Sequence, residues 1–357
     1  MQWEAGFWAE MRSRNDPWLW ALSLHNLSGS FKDSDQNKET VKIVIDKLLA
    51  HPSPGAESLY WAALICVNAT NYEDVCRVPA LVKRLMESDG DNIYSFAIYF
   101  DAELADRTGL HKVSDELLDW SYFDSWLERA VNLNRAESYN SFHFAEFAEI
   151  LENYAQTEGV PSALRGAPLE WKVAFYITDK LVYPWYEGTG AVTWHCHMSL
   201  YFGRNKTTEA CRALAKKLLS KSNSILSRSD ALFMLSQTYS KQEREFLRFK
   251  RESAAWREPV RACLNQIWKF ENEQWSVSYD AHSFAEDYES HGEIVALQGL
   301  AESAGWRYQD MAGSNFQCTE ALEMDDEGLI QFLGRRDPAW MWCETDDPCD
   351  LPLSNQP

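Results

Sequence analysis

Apolar side chains recur at helical intervals along most of this chain, and no stretch shows the sustained apolar–polar alternation of a half-buried strand. That period constrains the fold more than any other feature, because a helix with one apolar stripe must bury it against a neighbour. Asp16-Pro17 reads as an N-cap followed by proline at the first helical position, opening a helix through Trp18, Leu22 and Leu24. Lys38 to Leu49 carries Val41, Val44, Ile45, Leu48 and Leu49 on one stripe. His51-Pro52-Ser53-Pro54-Gly55 interrupts the chain before an apolar helix from Glu57 to Val67. Asp74 to Met86 reads as one further helix through Val78, Leu81, Val82 and Leu85.

Asp89-Gly90-Asp91-Asn92 is a turn and helix cap leading into Ile93 to Leu104. The pattern continues over 115–118, 126–133 and 137–154, then over 169–182, 192–202, 207–219, 229–239, 242–256, 259–271, 293–304 and 319–333. Glycine (16) and proline (12) are scarce in 357 residues, which counts against a turn-rich all-β design. The 16 Trp, 15 Tyr and 17 Phe can fill a sizeable core. We therefore expect an all-α fold, an irregular α-solenoid of antiparallel helix pairs. Proline and glycine around 159–168 mark the best boundary. It separates an N-terminal helical repeat region (1–160) from a C-terminal one (161–334), followed by an acidic, mostly irregular tail (335–357).

Charge is sorted along the chain. Residues 86–160 hold 16 acidic and 4 basic side chains, residues 206–269 hold 14 basic and 6 acidic, and residues 271–357 hold 19 acidic and 3 basic. These blocks account for the whole net charge of -20, which counts against nonspecific binding to nucleic acid or anionic membranes. No apolar run approaches the length of a spanning helix. The basic run Lys241 to Arg251 is amphipathic. It can face nucleic acid or an acidic protein, form a solvated helix laced with ion pairs, or pack beside an acidic block.

Eight cysteines bear on the compartment. Cys66 and Cys76 lie ten apart, Cys196 and Cys211 fifteen, and Cys343 and Cys349 six, each spacing being short enough for a local disulfide. Buried reduced thiols are the alternative. Paired cysteines place the protein in a periplasm or outside the cell, and unpaired ones in the cytoplasm. The start, Met1-Gln2-Trp3-Glu4, lacks the features of a signal peptide, so an exported protein implies that a signal has been removed.

Ala56-Glu57-Ser58-Leu59-Tyr60-Trp61-Ala62 is echoed about 35 residues later by Asp91-Asn92-Ile93-Tyr94-Ser95-Phe96-Ala97. In this interval and its aromatic placement the first half resembles degenerate tetratricopeptide-like helical-hairpin repeats, whose full consensus is absent. Asp89 to Ala105, Ser121-Tyr122-Phe123-Asp124 and Cys196 to Leu219 are also loosely similar to uncharacterised exported helical proteins of gammaproteobacteria. That second resemblance implies an exported bacterial solenoid with no known catalytic residues.

Motifs that would name a reaction are missing: there is no phosphate loop, dinucleotide fingerprint, nucleophile elbow or His-Glu-x-x-His helix. Trp194-His195-Cys196-His197-Met198 offers zinc-type ligands, but neighbouring residues on one helix point in different directions, and packing or a disulfide at Cys196 is the simpler account. His282 and His291 sit among Asp280, Glu286, Asp287, Glu289 and Glu293, either as an acid–base cluster or as a solvated acidic stretch. No metal or cofactor is expected. The function expected is a noncatalytic module that binds another protein, one with a basic surface, as an immunity-type inhibitor does. Glu320, Glu323, Asp325, Asp326, Glu327, Asp346 and Asp347 would steer that partner, and Trp340 and Trp342 would anchor it. The alternative is a helical-toroid carbohydrate-active enzyme using paired carboxylates with aromatic platforms for sugar. An adaptor touching nucleic acid through 241–251 is a third option.

Overall fold

The computed structural model describes residues 2–29, 35–68, 72–108, 120–137, 144–158, 189–221 and 225–240, with shorter pieces at 139, 244–246, 248–249, 270–271, 274–275 and 290. These residues are predominantly helical, and the fold class is all-α. The helices are α1 (Gln2–Ser13), α2 (Pro17–Gly29), α3 (Asp35–Ala50), α4 (Ala56–Asn68), α5 (Glu73–Cys76), α6 (Val78–Asp89), α7 (Ile93–Thr108) and α8 (Trp120–Asn132). They continue as α9 (Phe144–Glu158), α10 (Gly190–Tyr201), α11 (Asn205–Lys221) and α12 (Ile225–Gln237). The boundary expected near 159–168, the helices expected over 115–118, 169–182, 293–304 and 319–333, and the tail lie outside the described residues.

Local chemistry explains most of the helix ends. Asp16 Oδ1 accepts from the backbone N–H of Trp18 (2.7 Å) and Leu19 (3.1 Å), so the Asp-Pro pair starts α2 as a capped helix. Asn92 Oδ1 takes the N–H of Tyr94 at the start of α7. Three expectations need correction. The helix expected over 74–86 is two helices, because Pro79 has no N–H to donate and Arg77 turns left-handed at φ 49° between α5 and α6. The helix expected from Glu137 does not start there: residues 133–137 are not helical, and Asn92 and Arg135 form an isolated parallel bridge instead. At the end of the helix expected over 259–271, Phe270 and Glu271 pair antiparallel with Trp275 and Gln274.

The helices pack in two rows. In one row α2 packs on α4, α4 on α7, α7 on α10 and α10 on α12. The other row flanks it, with α3 on α2, α6 on α4, α8 on α7 and α11 on α10. Within the second row α3 touches α6, and α8 touches α11. Helix α9 leaves this order and lies against α1, where the Phe7 and Tyr154 rings sit 5.6 Å apart. The two echo segments each open a helix of the first row, α4 and α7, and these two helices are packed side by side.

Aromatic side chains fill the core, and three of the indoles also reach backbone carbonyls. Trp126 stacks on Phe96 at 5.2 Å while its indole N–H donates to the Phe96 carbonyl. The indoles of Trp20 and Trp61 donate to the carbonyls of Arg14 and Tyr139. Each ring thus buries a large apolar area without stranding its one donor.

Cations hold the second row together at its helix ends. Arg84 on α6 donates to the carbonyls of Leu48, Leu49 and His51 at the end of α3. Lys217 on α11 donates to the carbonyls of Val131 (2.6 Å) and Leu133 at the end of α8. Between these steps, Arg135 pairs with Asp89, the last residue of α6. A helix C-terminus presents unpaired carbonyls and the negative end of the dipole, so a cation satisfies both.

Asp89 is the buried member of this set. Its carboxylate also accepts from the Tyr139 hydroxyl and, at 3.1 Å, from the Asn92 amide. Tyr139 in turn accepts from the Ser95 hydroxyl, and Asn92 donates to the Glu137 carbonyl at 2.9 Å. Burial, with Asp89 as a second cause, raises the Tyr139 phenol well above its ordinary range, so it acts as a donor at every ordinary pH. Tyr139→Phe keeps the ring contact with Tyr60 but strips one donor from a buried carboxylate. We expect it to cost about 1–3 kcal/mol in a urea titration, and an unchanged midpoint would show that the network does not hold the 133–139 segment.

Candidate functional site

Helix α10 and helix α11 form a hairpin whose turn carries the least buried aromatic side chains of the described structure. Cys196 on α10 and Cys211 on α11 are bonded, with their Cα atoms 5.6 Å apart and both side chains buried. A second bond, Cys66–Cys76, joins the end of α4 to α5 with the same Cα separation. The zinc-type reading of residues 194–198 is closed at Cys196, whose sulfur is taken. Among the described residues no group of three His, Cys, Asp or Glu is placed to hold a metal ion.

The hairpin turn is built from backbone bonds. The N–H groups of Phe202, Gly203 and Arg204 donate to the carbonyls of Met198, Leu200 and Ser199. Gly203 adopts a φ of 63°, the left-handed conformation that glycine reaches without a steric cost. Below the turn the Ser199 and Thr208 hydroxyls bond at 2.9 Å. Helix α8 fixes the turn from the side: Asp124 accepts from Arg204 (2.9 Å) and from the Thr207 hydroxyl (2.6 Å), and the Arg204 guanidinium lies 4.7 Å over the Trp120 ring. Phe202 meets the edge of Trp120 at 6.0 Å and itself remains 44 % exposed, with Tyr201 at 37 %.

Beneath this corner His195 is buried among Phe100, Trp120 and Phe123, with ring centroids 5.1, 6.3 and 4.8 Å away. Its Nδ1 lies 2.7 Å from the Ala191 carbonyl, which can only accept, so Nδ1 carries the proton. Burial disfavours the imidazolium and lowers the pKa to about 4, against a smaller opposing effect of that backbone bond. On α7, Glu103 accepts from the hydroxyls of Tyr99 and Tyr122. Asp101 keeps part of its surface, but its Oδ1 is buried without a hydrogen-bond partner, and burial raises its pKa well above the usual carboxylate range. These groups support packing: His195 is enclosed by rings, and the Glu103 carboxylate is held by phenols.

The residues singled out in the sequence fall unevenly on the structure. Cys66, Cys76, Cys196 and Cys211 are described and bonded as above. Cys343 and Cys349, the acidic set Glu320, Glu323, Asp325, Asp326, Glu327, Asp346 and Asp347, and the pair Trp340 and Trp342 lie outside the described residues. So do His282, the acids around it and most of 241–251. The charge blocks do meet where they are described. Helix α11 of the basic block packs on α8 of the acidic block, Lys217 reaches the α8 carbonyls, and Arg212 turns onto the Tyr239 ring (3.9 Å) and the Thr238 carbonyl.

The turn at Tyr201-Phe202 and its supports Trp120, Asp124 and Arg204 were not singled out from the sequence. A signal was present: an aromatic pair directly before Gly203-Arg204-Asn205 sits at a helix end, where adjacent rings cannot both reach one core face. Comparison with protein-family models, curated proteins and solved structures found no match to this chain.

The hairpin generates two expectations. Replacing Cys196 and Cys211 by alanine removes a cross-link spanning 15 residues, which corresponds to about 3 kcal/mol in the chain-entropy account. The check is thermal melting of the variant against the oxidised parent, and equal melting temperatures would refute a bracing role. His195 has a folded pKa below its unfolded value of about 6.5, so it contributes stability above that value and loses it as pH falls toward about 4. Chemical denaturation across this window should show a shallower loss for His195→Phe than for the parent, and parallel curves would refute the burial effect.

Proposed function

We propose that this chain is an irregular α-solenoid that binds another protein without catalysing a reaction, and that it neutralises a toxin or effector by covering a basic surface, as an immunity protein does. The observation that carries this is where the basic block spends its charge. In its described part, Lys217 and Arg212 turn inward onto carbonyls and a tyrosine ring, while Lys206, Lys216 and Lys221 stay on the exposed side of α11. The 19 acids of residues 271–357 far outnumber the 3 bases among them, and the two inward cations offer them no counter-charge. An unbalanced acidic region beside Trp340 and Trp342 fits a cationic partner, with carboxylates steering encounter and indoles anchoring it.

The packing order supports the solenoid part of the proposal. A first row advancing by contacts between neighbours, and a flanking row joined by α3–α6 and α8–α11 contacts and by cations latched to helix ends, are what a degenerate repeat would leave. The disulfides are compatible with a periplasmic or secreted location, because such bonds persist in oxidising compartments. No helix among the described residues is long and apolar enough to cross a membrane.

The test is affinity capture from the native source with the full chain as bait, at low and at high salt. A basic protein should be retained at low salt and released at high salt. Retention should fall in a variant with Glu323, Asp325, Asp326 and Glu327 converted to their amides and Trp340 and Trp342 to alanine. Recovery of no partner at low salt, or of one indifferent to these changes, would overturn the proposal.

A further inference from the structure

Apart from Ile43, the most exposed large apolar side chains among the described residues converge on one place, the α10–α11 turn with Tyr201 and Phe202. Exposed aromatics on a mobile loop would say little, but this turn is held from several directions. A disulfide closes the hairpin, backbone bonds fix residues 202–204, and Asp124 ties Arg204 and Thr207 to α8. The Phe202 ring leans on Trp120, which is capped on another side by the Arg204 guanidinium. Rings held in this way lose little conformational entropy on contact, which is what lets tyrosine, tryptophan and arginine dominate interface energetics.

The surroundings give the sign of what can bind. Along the exposed side of α11, Lys206, Lys216 and Lys221 follow one another, and the one acid among them, Glu209, is already paired with Arg212. On a chain of net charge -20 this is a local positive face that begins at the aromatic turn. We propose that Tyr201 and Phe202, with the lysine stripe of α11, form a docking surface for an acidic segment of a partner protein that carries an apolar anchor. The anchor packs on Phe202 beside Trp120, and the carboxylates face Lys206 and Lys216. The surface uses none of residues 320–347, and its test does not depend on the role proposed for them.

A displayed library of random peptides, selected on the full-length oxidised protein, tests the proposal. Enriched peptides should combine acids with a large apolar residue, and a synthetic peptide of that consensus should bind more weakly as salt is raised. Phe202→Ala should weaken that peptide about tenfold, the effect of losing one anchor. Lys206→Glu should weaken it while leaving a neutral peptide of the same anchor unaffected. Both substitutions lie on exposed side chains, and circular dichroism with melting reports whether either unfolds the chain. Peptides enriched equally on the Phe202→Ala protein, a basic consensus, or no enrichment would each overturn the proposal. A consensus matching residues 335–350 of this same chain would overturn it too, by making the chain its own occupant.

Discussion

Asp89 is a buried carboxylate at the end of α6, and the middle of the structure is organised by how its charge is satisfied. A buried carboxylate without partners is strongly disfavoured, so every group that reaches Asp89 is held in place by the cost of leaving it. Arg135, Tyr139 and Asn92 are those groups, and they come from the segment after α8 and from the turn before α7. Residues 133–137 are thereby drawn away from helix and laid across the start of α7, where Ile93 donates to the Arg135 carbonyl. Tyr60 packs on Tyr139, and Trp61 donates to its carbonyl, so α4 is tied to the same point.

Asp89 also belongs to a series. At three successive steps a basic side chain meets the end of an outer helix: Arg84 at α3, Arg135 at α6 and Lys217 at α8. The first and last bind carbonyls and the middle one binds a carboxylate, so the geometry recurs while the chemistry changes. These contacts share only where positive charge falls, and not which residues surround it, so they leave a weak trace in sequence. The partly exposed members are individually small contributions, and their weight lies in fixing how the end of one helix sits against its neighbour.

Charge sorting in the chain has two physical origins once the described part is in view. Basic residues of α11 serve helix ends and rings inside the molecule, while its remaining lysines line an outer face. Block counts average these two uses, and only contact distances separate them. The same holds for the aromatics. Most of those in the described helices are core, as their number and helical spacing imply, but Tyr201 and Phe202 stand at a turn and face outward. Composition could not distinguish them from the rest.

Helical period, proline positions and short-range caps determined by themselves that the chain is all-α, where α2 and α7 begin, and which cysteines lie close enough along the chain to meet. These are local matters, decided by side chains within a few residues of the backbone groups they serve. Pro79 carried the break between α5 and α6 in the same local way, although the apolar stripe around it reads as continuous. Tertiary structure alone decided that 133–137 would forgo helix, that Arg84, Arg135 and Lys217 would latch helix ends, and that one aromatic pair would remain partly exposed on a braced turn. Those outcomes depend on partners 30 to 90 residues away, such as Lys217 and Val131 at a separation of 86. No local window contains the energy of a contact that exists only once the helices are packed.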